Sequence, residues 1–136
     1  MNINIPIKLV GDEHNAANVV IEMSGAVRWG ARGGWIEGVT FRRPKISGGA
    51  PPSDELLSVH GGGRLDMVTC VFDNEGSTGP VIKVQGTGKK GKWYNVSARN
   101  GGDVGILIEG ELNLELEKVR NRQEAICLVD LIFPAH

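Results

Sequence analysis

The sequence predicts an all-β solenoid, in which short strands coil and stack on one another. The main observation is a repeat of about 25 residues, in which a strand rich in Val, Ile and Leu leads through a Gly-rich turn to a second strand. Val81 stands 25 residues after Leu56, and Ile106 stands 25 residues after Val81. A second observation is that no segment has the 3.6-residue periodicity of a long helix. This combination is typical of solenoids, whose units bury their apolar faces only by stacking.

Each repeat is predicted to hold two strands joined by a turn. The three clearest first strands begin at Leu56, Val81 and Ile106, and each runs into glycines. The segments predicted as strands are 7–10, 19–22, 26–29, 35–41, 56–59, 65–72, 81–84, 93–98, 106–109, 112–119 and 126–129, the last of which Pro134 ends. We therefore expect about four to five coils, some of them incomplete.

One segment allows two readings. Residues 111–122 have the composition of a helix, with leucines among Glu, Lys and Arg. Leu112, Leu114 and Leu116 nevertheless alternate with polar residues, which is the period of a strand. We predict a strand, with a short helix as the alternative.

The length of 136 residues suits a single domain, residues 1–136. Leu56 follows Ala26 by 30 residues instead of 25, and the surplus falls in segment 47–53, which contains Gly-Gly and Pro-Pro. Because prolines cannot join a strand ladder, we predict a looped-out insertion there. No cap is visible at either end of the coils, so we expect a fragment of a longer chain, able to self-associate through its coil ends.

Composition excludes several classes of protein. The 15 basic and 16 acidic side chains give a net charge of −1, which offers no argument for nucleic acid or membrane as a partner. The apolar stretches are too short for a membrane span.

Cys70 and Cys127 each lie in an apolar strand and are predicted to be free core thiols, with a disulfide or a reactive thiol as the alternative. This cysteine usage favours a cytoplasmic or otherwise intracellular location.

Segments 34–41 and 71–76 resemble the repeats of right-handed parallel β-helix proteins, of the carbohydrate-binding and sugar-hydrolase type. The resemblance extends over roughly residues 7–132 and implies a right-handed parallel β-helix. Such repeats occur in polysaccharide lyases, glycoside hydrolases and sugar epimerases. They also occur in non-enzymatic recognition domains of F-box and Shc-binding adaptor proteins. The fold alone does not choose between these functions.

The acidic residues do not form the groups that the enzymes of this class use. An inverting glycosidase needs two carboxylates facing each other across the sugar, whereas Asp66, Asp73 and Asp103 are isolated in the sequence. The loop Asp12-Glu13-His14-Asn15 is similar to an Asp-Pro-His-Asp group of epimerases, but lacks the proline and the second aspartate. We predict no catalytic residue, no metal site and no cofactor, although Asp73-Asn74-Glu75 could supply part of a calcium shell.

The segment from Gly86 to Lys92 combines glycines with lysines but is not followed by the Ser or Thr and the helix of a phosphate-binding loop. It is predicted to be a turn, with a ligand-binding corner as the alternative. That corner would comprise Lys89, Lys90, Lys92, Trp93 and Tyr94. Since Trp93 and Tyr94 are neighbours in a strand, one of the two should face outward.

The function expected from the sequence is therefore a non-catalytic recognition module that binds a protein segment or a carbohydrate. The alternative is a carbohydrate-active enzyme, namely a lyase, epimerase or hydrolase.

Overall fold

A computed structural model of the protein describes residues 1–45, 48, 51, 53–102, 105–121 and 127–132, with only the backbone for 121 and 127–132. It is a parallel β-solenoid, which confirms the predicted fold class. Apart from one 3₁₀ turn at Ala16–Asn18, the regular elements within these ranges are strands: β1 Asn2–Ile3, β2 Lys8–Val10, β3 Val20–Glu22, β4 Val27–Trp29, β5 Trp35–Glu37, β6 Thr40–Arg43, β7 Leu57–Val59, β8 Asp66–Asn74, β9 Ile82–Gln85, β10 Gly88–Arg99, β11 Ile106–Glu117, β12 Arg120–Asn121 and β13 Cys127–Ile132.

The strands form three stacks, and every pairing between described strands is parallel. The first stack contains β1, β4, β7, β9, β11 and β13, and the second contains β2, β5, β8, β10 and β11. The third contains β3, β6, β8, β10 and β12. The long strands β8, β10 and β11 bend at a corner and so contribute to two stacks each. The right-handed winding implied by the resemblance stays a prediction.

Register in the first stack defines the coils. Asn2, Arg28, Ser58, Lys83 and Leu107 stand opposite one another in succession, so the chain completes four turns between the first and the last of them. Strand β13 pairs with β11 and begins a further turn. The coil number is therefore at the lower end of the predicted range.

The predicted strands match the structure closely, with a few differences. Segment 35–41 is two strands, β5 and β6, because the chain turns a corner at Gly38. Ile106 stands opposite Ile82 and not Val81, so that coil is one residue shorter than the repeat suggested. The strand reading of 111–122 is confirmed up to Glu117. Insertion 47–53 lies mostly outside the described residues.

A column of residues in the left-handed conformation forms the corner between the second and third stacks. Gly38, Thr69, Asn95 and Lys118 have φ angles of 68°, 53°, 54° and 53°. The residues that directly precede these four are in register with one another, so the four corner residues lie one above the other. The Asn95 amide nitrogen donates a hydrogen bond to the Thr69 hydroxyl at 3.3 Å. A β-branched residue such as Thr69 rarely adopts this conformation, so the stack of coils holds it there.

The core is a continuous column of aliphatic side chains with a few aromatic rings. Phe41 and Phe72 stack with their ring centroids 5.2 Å apart, and the Trp93 indole nitrogen donates to the Leu65 carbonyl at 3.0 Å. Cys70 is a free, buried thiol whose pKa is raised to about 11 by desolvation. Its predicted role as a core thiol is confirmed by its burial, and a raised pKa opposes formation of a reactive thiolate. The side chain of Cys127 lies outside the described part of the chain.

The first coil is less well covered than the others. Its strands β1, β2 and β3 each pair with one described strand only. Five large hydrophobic side chains of this coil are exposed, namely Met1, Ile5, Ile7, Val10 and Val20. The core residues Ile3, Leu9 and Ile21 are only partly buried. Self-association through such an end stays a prediction.

Among the described residues, no helix has the length and hydropathy needed to cross a bilayer.

The corner between the first and second stacks gives a testable prediction. Gly110 has a φ of +113°, and a side chain there would collide with the Gly86 carbonyl oxygen. Gly110→Ala is therefore expected to lower the free energy of unfolding by about 1–3 kcal/mol in urea denaturation. Gly25→Ala is the matched control, because a methyl group there would meet no atom within 4 Å and the φ of Gly25 is not positive. Equal stability of the two variants would contradict this account of the corner.

Candidate functional site

The structure divides the five residues of the predicted ligand-binding corner into two groups. Lys89, Lys92 and Tyr94 lie on the outer surface, and Tyr94 is 38% exposed. Lys90 and Trp93 point into the core, where they are 0% and 1% exposed. The prediction that one of the two aromatic rings faces outward is confirmed. The inclusion of Lys90 and Trp93 in a surface site is wrong, because neither side chain is accessible.

Lys90 is a buried cation inside the corner between the first two stacks. Its ammonium donates a hydrogen bond to the Gly61 carbonyl oxygen and also approaches Gly86. No carboxylate within the described ranges pairs with it, and desolvation lowers its pKa. Lys90 therefore satisfies the Gly61 carbonyl oxygen at the corner and is not accessible from the surface.

The accessible part of the predicted site is a shallow depression of about 290 Å³, which we term the basic corner. It is lined by Arg64, Lys89, Gly91, Lys92, Asn113 and Glu115. The ammonium of Lys92 lies 3.4 Å from the Glu115 carboxylate, and its backbone nitrogen donates to Asp66 at 2.8 Å. Within the described residues, Arg64 and Lys89 form no salt bridge. Two of the three cations thus remain available to an incoming anion.

Tyr94 extends the basic corner along strand β10. It follows Lys92 by two residues and so lies on the same face of the strand. The ammonium of Lys118 lies 3.2 Å from the Tyr94 hydroxyl and 5.4 Å from the ring centroid. The corner therefore joins cations to a partly exposed ring.

The carboxylates considered for catalysis accept hydrogen bonds from neighbouring groups. Asp12 accepts hydrogen bonds from Asn18, His14 and Asn15 at 2.8–3.2 Å, and the Asn18 bond is the main reason why the pKa of Asp12 is lowered. Asp12 thus holds the loop that resembles an epimerase group in a turn, through hydrogen bonds within the loop itself. The side chain of His14 is 89% exposed and lies beside Glu13.

Two further aspartates are similarly engaged. Asp66 accepts from the Lys92 backbone and Asp73 from Asn100 at 2.7 Å, while Asp103 lies outside the described residues. Across the part of the chain that the structure covers, no three His, Cys, Asp or Glu side chains are close enough to hold a metal.

Arg42 and Arg43 face opposite sides of strand β6. Arg42 bonds Glu75 at 2.8 Å on the outside. Arg43 is buried, and its guanidinium bonds Asn74 at 2.8 Å and Asp54 at 3.0 Å. Arg43 thus joins the end of one coil to the beginning of the next and is not available to a ligand.

The structure also reveals a groove that the sequence did not indicate. This third-stack groove, of about 360 Å³, lies between the 14–17 loop and the outer face of the third stack. It is lined by His14, Asn15, Ala16, Ala17, Val20, Thr40, Thr69, Cys70, Val71, Asn95, Ser97, Arg99 and Arg120. The lining contains two arginines and no carboxylate.

Register explains how residues so far apart in sequence form one groove. Thr40, Val71, Ser97 and Arg120 stand opposite one another on successive strands. The Thr40 hydroxyl also donates to the Ala16 carbonyl at 2.9 Å, which fixes the loop as one wall. Only an alignment of complete coils, with the third strand of each in place, could have found this groove from the sequence.

Comparison of the chain with protein-family models, with curated proteins and with solved structures finds no match in any of the three.

Proposed function

We propose that the protein is a non-catalytic recognition module that binds an acidic protein segment or an acidic carbohydrate on the outer surface of the solenoid. The observation that carries the proposal is the basic corner, where Arg64, Lys89 and Lys92 surround a depression beside Tyr94. A shallow surface with cations and a ring suits binding more than catalysis, which needs a positioned acid and base.

The chemistry of the basic corner favours an anionic ligand with some apolar surface. Lys89 and Arg64 can bond carboxylate or sulfate oxygens, while the Tyr94 ring can pack against the CH groups of a sugar or an apolar side chain. The carbohydrate-active enzyme is the second candidate, and no arrangement of the described carboxylates favours it.

Two finer points belong to the same proposal. The repeats are of the carbohydrate-binding type, and the three parallel stacks of strands support this assignment. The same type of repeat serves recognition in F-box and Shc-binding adaptor proteins. The protein acts in the cytoplasm or another intracellular compartment, and the free thiol of Cys70 supports a reducing location.

A charge-reversal experiment tests the basic corner. Lys89→Glu/Lys92→Glu is expected to weaken binding of the best ligand from a glycan and acidic-peptide screen by about three- to tenfold, and by more at low salt. Lys90 is left unchanged, because reversal of a buried charge would destabilise the core. Affinity is measured by isothermal titration at about 50 mM and about 300 mM NaCl, because the Debye length more than halves over that range.

The matched control is Arg28→Glu/Lys83→Glu, which reverses two charges on the first stack, where both residues stand opposite Ser58 on the two strands that flank it. This control should bind like the wild type. Equal loss in both double variants would mean that only net charge matters, and no loss in the Lys89/Lys92 variant would refute the basic corner as the contact surface. Lyase, epimerase or hydrolase turnover that disappears in Asp66→Asn or Asp73→Asn would establish the enzyme instead.

A further inference from the structure

We infer that the third-stack groove is a second binding site, which takes a carboxylate carried by a hydroxylated ligand, the chemistry of a uronic acid. It lies on a different stack from the basic corner and is argued from different residues, so it stands independently of the proposed function.

The outer face of the third stack carries a row of charged side chains. Glu22, Arg42, Asp73 and Arg99 stand opposite one another on successive strands and alternate in sign. Arg42 is held by Glu75 at 2.8 Å and Glu22 at 3.4 Å.

Asp73, next in this row, accepts a hydrogen bond from Asn100 at 2.7 Å. Arg99 forms no salt bridge with any described residue, and its Nε is buried without a hydrogen-bond partner among them. The Nε is enclosed, but Arg99 as a whole is half-buried and lines the groove, so a ligand can reach the terminal nitrogens of its guanidinium. An acceptor there would compensate for a guanidinium that no described carboxylate pairs.

Arg120 supplies the second cation. It stands opposite Ser97 on β10, and Ser97 precedes Arg99 by two residues. Strand geometry therefore places the Cα atoms of Arg99 and Arg120 about 8 Å apart. Both side chains line the same groove, and within the described ranges Arg120 also has no ion pair. Two guanidinium groups without carboxylate partners favour an oxyanion, which each can bond with two parallel hydrogen bonds.

The remaining lining residues indicate what carries the oxyanion. Thr69, Asn95 and Ser97 provide hydroxyl and amide groups beside the arginines, and these can both donate to and accept from the hydroxyls of a sugar. The row from Thr40 to Arg120 spans three strand spacings, about 14 Å, which is longer than an inorganic ion requires. The groove therefore fits an extended, hydroxylated anion better than a free ion.

Binding to the purified chain tests this inference by NMR titration with four probes. These are trigalacturonate, neutral maltotriose, inorganic sulfate and hexaglutamate. Trigalacturonate is expected to shift the amide signals of Thr69, Asn95 and Ser97, whereas the other three should bind at least about tenfold more weakly. Arg99→Gln/Arg120→Gln should weaken trigalacturonate binding by at least about tenfold, because it removes two charged hydrogen-bonding groups.

The matched control, Arg28→Gln/Lys83→Gln, removes the same charge from the first stack and should bind like the wild type. Measured thermal midpoints close to that of the wild type are required of both double variants, as evidence that each is folded. Undetectable trigalacturonate binding, or equal binding by the Arg99/Arg120 variant, would overturn the site. Equal affinity for sulfate or hexaglutamate would overturn the sugar as the carrier of the oxyanion. Lys89→Glu/Lys92→Glu should leave this binding unchanged, so failure here is distinct from failure of the basic corner.

Discussion

Truncation of Ile108 to alanine is expected to lower the free energy of unfolding by about 2–5 kcal/mol. Ile108 is fully buried and stands between Val84 on β9 and the backbone of β13 at Leu128. Val59 continues the same column on β7. Removal of the side chain leaves a cavity that the neighbouring coils cannot close, because their strands are fixed by parallel pairing on both sides. Urea denaturation followed by circular dichroism gives the free energy.

Two further variants make this test specific. Ile108→Val should cost only about 0.5–1.5 kcal/mol, since it removes one methylene group. Leu107→Ala changes the half-exposed neighbour on the same strand and should cost clearly less than Ile108→Ala. A loss well under about 1 kcal/mol for Ile108→Ala would show that the register of the first stack is wrong.

The second large effect is expected at Lys90. Lys90→Glu should lower the free energy of unfolding by about 3–5 kcal/mol, because a buried carboxylate would face the Gly61 carbonyl oxygen without a positive partner. Lys90→Met removes the ammonium and keeps most of the unbranched apolar chain. Its stability should remain within about 1 kcal/mol of the wild type, because relief of the desolvation cost offsets the lost hydrogen bond to Gly61. The comparison separates loss of charge from reversal of charge at one position.

The pH dependence gives an independent check on Lys90. Burial lowers its pKa, so the folded protein bears the cost of a desolvated ammonium below that lowered pKa. This cost disappears as the pH rises through the lowered pKa towards the ordinary lysine value of about 10.4. The stability of the wild type relative to Lys90→Met should therefore rise between neutral and alkaline pH. A flat difference over that window would contradict a lowered pKa.

The parts of the fold that burial dictates could be predicted from the sequence. Val59, Val84 and Ile108 repeat at the coil spacing because each fills the same layer of the core, and the structure aligns them as expected. Trp93 and Tyr94 alternate between core and surface for the same reason. A strand buried on one face leaves a period of two in its apolar residues, and that pattern is visible without a structure.

The sequence misplaces Lys90 because the strand pattern breaks at that point. The pairing of β10 with β11 is irregular between Lys89 and Gly91, and Lys90 and Gly91 are consecutively buried. A bulge of this kind shifts the alternation by one residue. Lysines and glycines in a row carry no apolar pattern that would locate it.

The third-stack groove escapes sequence reasoning for a different reason. Its corner residue Thr69 lies within an apolar run and has none of the usual sequence marks of a turn, although its φ is positive. Because the sequence does not reveal that corner, the parts of the strand that belong to the second and third stacks are predicted as one straight strand. Arg99 and Arg120 then have no visible relation to each other, because their proximity depends on how successive coils are aligned.

The sparse cover of the first coil predicts how the molecule opens. In a linear stack, each coil is stabilised by its own contacts and by those with its immediate neighbours. Strands β1, β2 and β3 have one described neighbour each, whereas β7 and β9 are paired on both sides. Native-state hydrogen exchange should therefore be fastest in β1–β3 and slowest in β7–β10, as a gradient of local opening free energies along the axis. The solenoid would fray from its first coil while the centre stays folded, and substitutions in β1–β3 would move the boundary between the frayed and the folded coils.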